Sequence, residues 1–149
     1  MNPDFLDIIR ALSAADARFL IVGAYAVNLY TDPRATGDLD IWIEPTPENA
    51  ARVMRALAAF GAPLDGVSES DFCSPGVTFQ IGIPPRRIDI LTDITGVSFA
   101  EAWSGRTVHP FGSTSAPFLG RSEIIRNKKA VGRLKDLADL DSLEGRDGG

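Results

Sequence analysis

The chain has 149 residues, of which 44% are hydrophobic and 23% are charged, and its formal net charge is -5. These proportions are those of an ordinary globular domain, and they argue against a disordered chain. No apolar run reaches the roughly 18 to 20 residues that a membrane-spanning helix needs, so a membrane protein is not expected. The length predicts a single domain over residues 1–149 with one buried core.

The first residues and the cysteine content bear on whether the protein is secreted or stays in the cytoplasm. Asp4 and Asp7 occupy the start of the chain, where a secretory signal peptide would carry basic residues. Cys73 is the only cysteine, so the chain can form neither an internal disulfide nor a cysteine-based zinc site by itself. We therefore expect a cytoplasmic protein, with residues 144–149 as a frayed tail.

The first half of the chain alternates helical and extended patterns. Apolar residues recur at helical spacing over 3–16, and a short, nearly continuous apolar run over 18–22 predicts a buried strand that ends at Gly23. A helix over 24–30 and a Pro- and Gly-containing loop follow. The next expected elements are a strand over 38–44 and a helix from Pro47 to Phe60, which begins after Thr46 and ends at Gly61.

The second half is interrupted more often by proline and glycine. Residues 62–76 predict a loop, and two strands are expected over 77–83 and 87–91. Ser98 and Glu101 have the spacing of a helix-capping box. An extended, proline-interrupted stretch over 106–118 then leads into helical sequence from Ser122 to about Leu143, with a break at Gly132. Strands and helices thus mix without the regular spacing of repeated βαβ units.

The charge of the chain is distributed unevenly. Residues 121–135 carry six basic side chains and one acidic side chain, a net charge of +5, so the remainder of the chain carries -10. A small basic face on an acidic body suits a localised polyanion, such as a triphosphate or an RNA backbone. The same pattern also fits a solvated helix face, and charge alone does not separate the two interpretations.

A glycine lies at the junction between the first strand and the next helix. Gly23 allows a ligand to approach the backbone closely, and the first N–H groups of the helix that begins at Ala24 have no intrahelical partner. Such a junction can bind phosphate. An ordinary strand-to-helix turn would have the same sequence.

Three aspartates lie in predicted strands. Asp38 and Asp40 are two residues apart, which puts both carboxylates on one strand face with Cα atoms roughly 6.5 to 7 Å apart. Carboxylates so placed raise each other's pKa unless a cation lies between them, and Mg²⁺ commonly takes one or two carboxylates together with substrate phosphates. Asp89 stands between Ile88 and Ile90, where burial is costly without a partner.

Each aspartate also has a simpler interpretation. The Asp-x-Asp pair is typical of a polar strand edge, and Asp89 could pair with Arg86 or Arg87. Taken together with the glycine junction, however, three strand carboxylates fit a two-metal phosphoryl-transfer site.

The segments Phe19–Val27 and Asp32–Ile43 together resemble the nucleotidyltransferase superfamily related to DNA polymerase beta. The pattern of that superfamily is an apolar strand, a Gly-Gly or Gly-Ser pair, a short helix, Asp-x-Asp and a later strand aspartate. The segment Asn127–Asp139 is similar to the terminal helical motif of the AbiEii-like toxin and minimal nucleotidyltransferase branch. The resemblance covers roughly residues 18–143.

The resemblance implies an α+β fold, in which a small mixed β-sheet is flanked by helices, with further helices at the C-terminus. It also implies Mg²⁺-dependent transfer of a nucleoside monophosphate from a nucleoside triphosphate to an acceptor hydroxyl, on tRNA or on a protein. Toxin–antitoxin systems contain many such relatives, so a cognate toxin or antitoxin is a candidate partner.

The resemblance also implies residue roles. By analogy, Asp38 and Asp40 bind the metal ions, and Asp89 binds one metal and helps to deprotonate the acceptor. The backbone of Gly23 contacts the β- and γ-phosphates. Lys128 and Arg133 contact phosphates or the nucleotide, while Asp136 orients one of these basic side chains or pairs with it on the helix surface.

The chain departs from the superfamily pattern at one position. Ala24 stands where Ser or Gly is usual, so a hydroxyl donor to phosphate is missing although the backbone N–H of Ala24 remains. Arg34, in the loop before the aspartate pair, could reach a phosphate or could pair with Asp32 or Asp38. A catalytically weak or inactive binding module on the same fold is therefore the main alternative to an active enzyme, and a metal-dependent nuclease is a third hypothesis.

Overall fold

The computed structural model describes residues 1–32 and 36–148. Its helices are α1 Pro3–Ala14, α2 Gly23–Val27, α3 Pro47–Phe60, α4 Phe99–Ser104, α5 Arg121–Val131 and α6 Leu134–Gly148, with a short 3-10 helix over Glu69–Cys73. Its strands are β1 Phe19–Val22, β2 Leu39–Ile43, β3 Thr78–Ile81, β4 Ile88–Leu91, β5 Thr107–Phe111 and β6 Thr114–Phe118.

The six strands form one mixed sheet in the order β3-β4-β2-β1-β6-β5. The central pair β1–β2 is antiparallel, whereas β2–β4 and β1–β6 are parallel, and the outer pairs β3–β4 and β5–β6 are antiparallel. Helices flank this sheet, and two of them lie at the C-terminal end of the chain. The predicted α+β class with a small mixed sheet is therefore confirmed.

The two long N-terminal helices begin and end at the signals in the sequence. The Asn2 side chain accepts a hydrogen bond from the backbone N–H of Asp4 at the start of α1. The Thr46 hydroxyl oxygen likewise accepts from the N–H of Asn49 at the start of α3, and Gly61 ends that helix with a positive φ of 93°. Helices α1 and α3 pack against each other and contribute buried aliphatic side chains to the single core.

Residue register assigns the side chains of the central strands to two faces. Side chains at alternate positions of β2 point to opposite sides, so Leu39, Ile41 and Ile43 share one face and Asp40 and Trp42 share the other. The Trp42 ring contacts the Phe99 ring of α4, with centroids 5.1 Å apart. Helix α4 therefore covers part of the face that carries Asp40.

The structure refines several predicted boundaries. Helix α2 is five residues long and continues as a turn over 28–30, which is shorter than the predicted helix over 24–30. Asp38 lies in a bend, because β2 begins at Leu39 rather than at 38. The predicted helix break at Gly132 is confirmed, since Gly132 has a φ of 70° and separates α5 from α6.

Two regions have more regular structure than their sequences indicated. The predicted loop over 62–76 contains the 3-10 helix, which begins with a reciprocal capping box between Ser68 and Asp71. The extended stretch over 106–118 is a hairpin, β5–β6.

Helix α6 extends past Leu143 to Gly148, and the frayed tail over 144–149 stays a prediction. Within the described ranges, no helix has the length and apolar character needed to cross a membrane.

Candidate functional site

A cavity of about 560 Å³ opens where the end of β1 meets the start of β2. Its floor is the sheet face that carries Asp40, and its walls come from α2, α5, the start of α6 and the segment after β4. The residues that line it include Gly23, Ala24, Asp38, Asp40, Leu91, Ile94, Asn127, Lys128, Arg133, Lys135 and Asp139.

Gly23 is required by the backbone and by its neighbour. Its φ is +69°, a conformation that side chains disfavour, and a Cβ atom placed there would lie 2.2 Å from the Asp40 Oδ2 atom. Any side chain at position 23 would therefore displace the Asp40 carboxylate. The glycine thus keeps that carboxylate beside the strand-to-helix junction.

The pairing of β2 with β4 brings two aspartates side by side. Asp40 is in register with Asp89, so their side chains leave the same face of the sheet. Asp38 lies just before β2 and lines the cavity together with Asp40. The structure thus brings Asp38, Asp40 and Asp89 together from two segments that are about fifty residues apart in the chain.

Arg87 is the cation of this group. Its Nε atom donates a hydrogen bond to Asp89 Oδ1 at 2.8 Å, and its Nη2 atom donates to Asp89 Oδ2 at 3.2 Å. Its backbone N–H donates to Asp38 Oδ1 at 3.0 Å, and its guanidinium lies 3.5 Å from Asp38 Oδ2. Of the two arginines that the sequence offered to Asp89, the structure pairs it with Arg87. We call Asp38, Asp40, Asp89 and Arg87 the carboxylate cluster.

The charges of the carboxylate cluster do not balance, because three acids surround one arginine. Burial, repulsion by Asp89 and a hydrogen bond with the Asp89 carboxyl together raise the pKa of Asp40 from 3.8 to about 6. Arg87 opposes this shift only in part. Asp40 is thus the acid of the cluster whose negative charge is least compensated.

The carboxylate oxygens of the cluster are ligands that a hard divalent cation such as Mg²⁺ prefers, but they do not form a complete protein metal site. Among the residues that the structure describes, no group of three or more acidic, histidine or cysteine side chains is close enough to hold a metal ion. Arg87 contacts two of the three aspartates of the carboxylate cluster, Asp89 and Asp38. Asp38 and Asp40 line the cavity beside Gly23, and two carboxylates are what Mg²⁺ commonly takes when substrate phosphates supply the other ligands.

One face of α5 forms a wall of the cavity. Ile124, Asn127, Lys128 and Val131 line it, and their spacing of three, one and three residues places them along a single helix face. The sequence identified only Lys128 in this set. Asn127 could have been found from the same helical spacing.

Lys128 is held between the two C-terminal helices. Its Nζ atom lies 3.2 Å from Asp136 Oδ1 and 3.2 Å from Asp139 Oδ2, and its side chain is only 11% exposed. Arg133 donates from its backbone N–H and from its guanidinium to Asp136. We call Lys128, Arg133, Asp136 and Asp139 the hinge cluster, because it surrounds the turn at Gly132.

The hinge cluster stabilises the ionised form of Asp136, the acid at its centre. Hydrogen bonds from Arg133 and Lys128 lower the pKa of Asp136 from 3.8 to about 2, although burial acts in the opposite direction. Asp136 is 1% exposed, so it is a buried ion-pair partner and does not lie on the helix surface. Of the two roles that the sequence left open for Asp136, the contacts favour orienting Lys128 and Arg133.

The predicted nucleotide-binding residues therefore differ in availability. Gly23, Ala24, Lys128 and Arg133 all line the cavity, but Lys128 is already paired. Lys135, which the sequence did not assign, also lines the cavity, and within the described ranges it takes part in no ion pair. Arg34 lies outside the described residues.

No family model matches the sequence. A search of curated proteins also gives no match. A crystal structure from Thermotoga maritima, of a protein provisionally assigned as a nucleotidyltransferase, superposes with a TM-score of 0.56 over 97% of this chain and 93% of that chain, at 13% sequence identity. The chain has the nucleotidyltransferase fold. In this nucleotidyltransferase fold, the cavity lies where β1 ends and β2 begins. The AbiEii-like branch stays a prediction.

Proposed function

We propose that the protein is a Mg²⁺-dependent nucleotidyltransferase, which moves a nucleoside monophosphate from a nucleoside triphosphate to an acceptor hydroxyl. The observation that carries this proposal is the pair of carboxylates, Asp38 and Asp40, that line a nucleotide-sized cavity next to Gly23. Asp89 adds a third acid in register with Asp40. The nucleotidyltransferase fold supports the same reaction class.

The reaction joins the acceptor oxygen to the α-phosphorus of the triphosphate. The bond between that phosphorus and the oxygen that bridges to the β-phosphate breaks, and pyrophosphate leaves. Asp38 and Asp40 would hold Mg²⁺, which neutralises charge on the reacting phosphates. Asp89 lies beside Asp40 and would accept the proton that the acceptor hydroxyl loses.

Metal binding and the Arg87 contacts compete for Asp38. Arg87 contacts this carboxylate through its backbone N–H and its guanidinium, so a cation held by Asp38 and Asp40 must take over part of the role of the guanidinium. Arg87 then remains close enough to fix the orientation of Asp89. We therefore assign Arg87 to positioning the carboxylates.

The triphosphate would be bound from two sides of the cavity. On one side, the backbone N–H groups at Gly23 and Ala24 would donate to phosphate oxygens. On the other side, Arg133 and Lys135 supply positive charge, and the Arg133 side chain is 60% exposed although it is paired with Asp136. Lys128 would act through the position of α5 relative to α6. Arg34 would add a further phosphate contact.

The acceptor is a tRNA or a protein hydroxyl. The net charge of +5 over residues 121–135 favours an RNA acceptor, whereas the overall charge of -5 favours a small or protein acceptor. A protein acceptor would be a cognate toxin or antitoxin.

Transfer of label from α-³²P nucleoside triphosphates tests the reaction. The protein is incubated with each triphosphate and Mg²⁺, first with total tRNA and then with cell lysate, and labelled RNA and protein are separated on gels. We expect labelled product with the wild type and a loss of about a hundredfold or more in Asp38→Asn and Asp40→Asn, because both carboxylates act on the reacting phosphates. Asp65→Asn, which changes an exposed loop acid, is the matched control.

A binding module without catalysis is the second candidate, and two observations favour it. Ala24 stands where Ser or Gly is usual and offers no hydroxyl, and Arg87 already compensates two of the three acids. This candidate predicts that triphosphate binds with no transfer of label in any variant. RNA that is shortened instead of labelled would indicate a nuclease. Absence of triphosphate binding, measured by calorimetry with Mg²⁺, would contradict the proposed enzyme.

A further inference from the structure

The cavity has two chemically different ends. Asp40 lines one end, and Asp89 is in register with it on the neighbouring strand. Leu91 follows Asp89 by two residues on the same face of β4, which places it roughly 7 Å further along the strand. Ile94 continues the apolar floor in the segment that leaves β4. If the phosphates of a triphosphate contact the acids, its base therefore extends toward Leu91 and Ile94.

A polar side chain from α5 borders this apolar end. The Asn127 Nδ2 atom donates a hydrogen bond to the backbone carbonyl oxygen of Thr95 at 2.9 Å. The carbonyl of Thr95 can only accept, so the amide group of Asn127 must turn its NH₂ toward it. Asn127 Oδ1 then points away from Thr95, and it accepts no hydrogen bond from the part of the chain that the structure describes.

The segment after β4 is fixed to α5 at this point. Arg126 donates to the Gly96 carbonyl oxygen at 3.4 Å, and a Cβ atom at Gly96 would lie 2.6 Å from the Ala130 Cβ. Gly96 also has a φ of +84°, so the close approach requires glycine. The Asn127–Thr95 hydrogen bond thus forms in a tightly packed junction, which holds the Asn127 amide in one orientation.

We propose that Asn127 selects the base of the nucleotide, by accepting a hydrogen bond from the amino group on C6 of a purine or C4 of a pyrimidine. This inference rests on the proposed function and names its substrate class, which is a triphosphate of adenine or cytosine. In each of these bases an amino group donates from the edge of the ring, whereas inosine and uridine carry a carbonyl oxygen at the equivalent position. Two carbonyl oxygens cannot form a hydrogen bond with each other, so a keto base would lose this contact unless it shifted to present its ring N–H to Asn127 Oδ1.

The surroundings of Asn127 fit a planar ring. Leu91, Ile94 and Val131 line the cavity beside it and offer apolar surface to the two faces of a base. Such surface attracts every base about equally. Discrimination would therefore come from the single polar contact, and a hydrogen bond of this kind corresponds to about a tenfold change in affinity.

Two matched pairs of nucleotides test the selection. The dissociation constants of ATP and ITP, and of CTP and UTP, are measured by calorimetry with Mg²⁺ and the full-length protein. Within each pair, the second nucleotide has a carbonyl oxygen where the first has an amino group. The neighbouring ring nitrogen of the second nucleotide also carries a hydrogen. We expect ATP to bind about tenfold more tightly than ITP, and CTP about tenfold more tightly than UTP.

Substitutions at position 127 separate selection from a structural role. Asn127→Leu removes the acceptor and should bring both ratios close to one, whereas Asn127→Asp keeps an acceptor oxygen and should preserve preference for the amino bases even if all affinities fall. Arg126→Ala is the matched control, since it weakens the same junction from a residue that does not line the cavity. It should leave both ratios unchanged. Thermal melting of each variant confirms that the fold persists.

The failures of the two proposals are distinguishable. If ATP and ITP bind with equal affinity to the wild type, the base selection is overturned while the proposed function stands. If the preference for ATP persists in Asn127→Leu, another group reads the base and the assignment of Asn127 is overturned. If no triphosphate binds, the proposed function fails and the base selection fails with it.

Discussion

Two clusters of charged side chains border the same cavity and differ in how their charges balance. The carboxylate cluster has three acids and one arginine, a formal charge of -2, whereas the hinge cluster pairs two acids with two bases. The pKa of Asp40 in the first is raised to about 6, and the pKa of Asp136 in the second is lowered to about 2. The first cluster therefore has negative charge left for a cationic ligand, whereas the acids of the second are compensated by their own basic partners.

The difference has a direct structural reason. Asp136 accepts hydrogen bonds from two basic side chains and a backbone N–H, so burial does not leave its charge unpaired. Asp40 faces Asp89 and Asp38, and the one arginine nearby bonds these two neighbours. Unfavourable charge in a folded protein is typical of sites that bind or react.

Removal of the central acid of the hinge cluster should have the largest effect on stability. Asp136→Ala leaves Lys128 with only one of its two acidic partners and Arg133 with none of its contacts to position 136. We expect the free energy of unfolding to fall by about 3 kcal/mol, the range found when one partner of a buried ion pair is deleted. Urea denaturation measures it. Asp141→Ala, an exposed acid in the same helix, should change stability little, and an equal loss in both variants would contradict the prediction.

Neutralising Asp40 should raise the free energy of unfolding, whereas removing Asp136 lowers it. Asp40→Asn removes a charge that burial and Asp89 disfavour, while its amide can still donate a hydrogen bond to the Asp89 carboxylate. We expect the metal-free protein at neutral pH to gain about 1 to 3 kcal/mol of stability, since one pKa unit corresponds to about 1.4 kcal/mol. Urea denaturation in the presence of EDTA measures it, with Asp65→Asn as the control. A loss of stability in Asp40→Asn would show that its charge is already compensated.

The two clusters should also respond to pH in different windows. The lowered pKa of Asp136 contributes stability that is present above about 3.8 and is lost as the pH falls toward 2. The raised pKa of Asp40 makes its contribution unfavourable, and this destabilisation grows from pH 3.8 to about 6 and stays constant above that range. The stability difference between wild type and Asp40→Asn should therefore vanish in acid and reach its full size above pH 6. A difference that is independent of pH would exclude Asp40 as the titrating group.

The smallest expected effect concerns phosphate binding beside the carboxylate cluster. Ala24→Ser restores a hydroxyl next to Gly23, and a neutral hydrogen bond to phosphate contributes about 0.5 to 1 kcal/mol. We expect triphosphate affinity to rise about threefold, measured by calorimetry with Mg²⁺. The comparison is made with Ala24→Val, which should bind triphosphate more weakly than the wild type. Ala26→Ser would not serve as a control, because Ala26 is buried. Equal affinity in all three proteins would show that position 24 does not contact phosphate.

Much of the fold followed from local patterns. Thr46 with Pro47 set the start of α3, Gly61 set its end, and Gly132 separated the two C-terminal helices as predicted. The 3-10 helix over Glu69–Cys73 was missed, because glycine and proline on both sides of it are typical of a loop. Its capping box, Ser68 with Asp71, is the signal that could have revealed it.

The candidate site could be predicted only in part from the sequence. The sequence singled out Gly23, Asp38, Asp40 and Asp89, and the structure brings these four residues together. It did not single out Asn127 or Lys135, since their importance depends on the position of α5 and α6 over the sheet. The choice of Arg87 over Arg86 as the partner of Asp89 also depended on the register of β2 and β4.

The sequence by itself determined where carboxylates, glycines and helix boundaries occur, because these depend on residue type and on spacing of a few positions. Only the tertiary structure decided that Asp40 carries the uncompensated charge while Asp136 is fully paired. A pKa depends on burial and on charges within a few ångströms, and those charges come from segments far apart in the chain. The two clusters combine acids and bases in different proportions, and packing decided which of these side chains meet: three acids around one arginine at the candidate site, and two acids with two bases at the turn between α5 and α6.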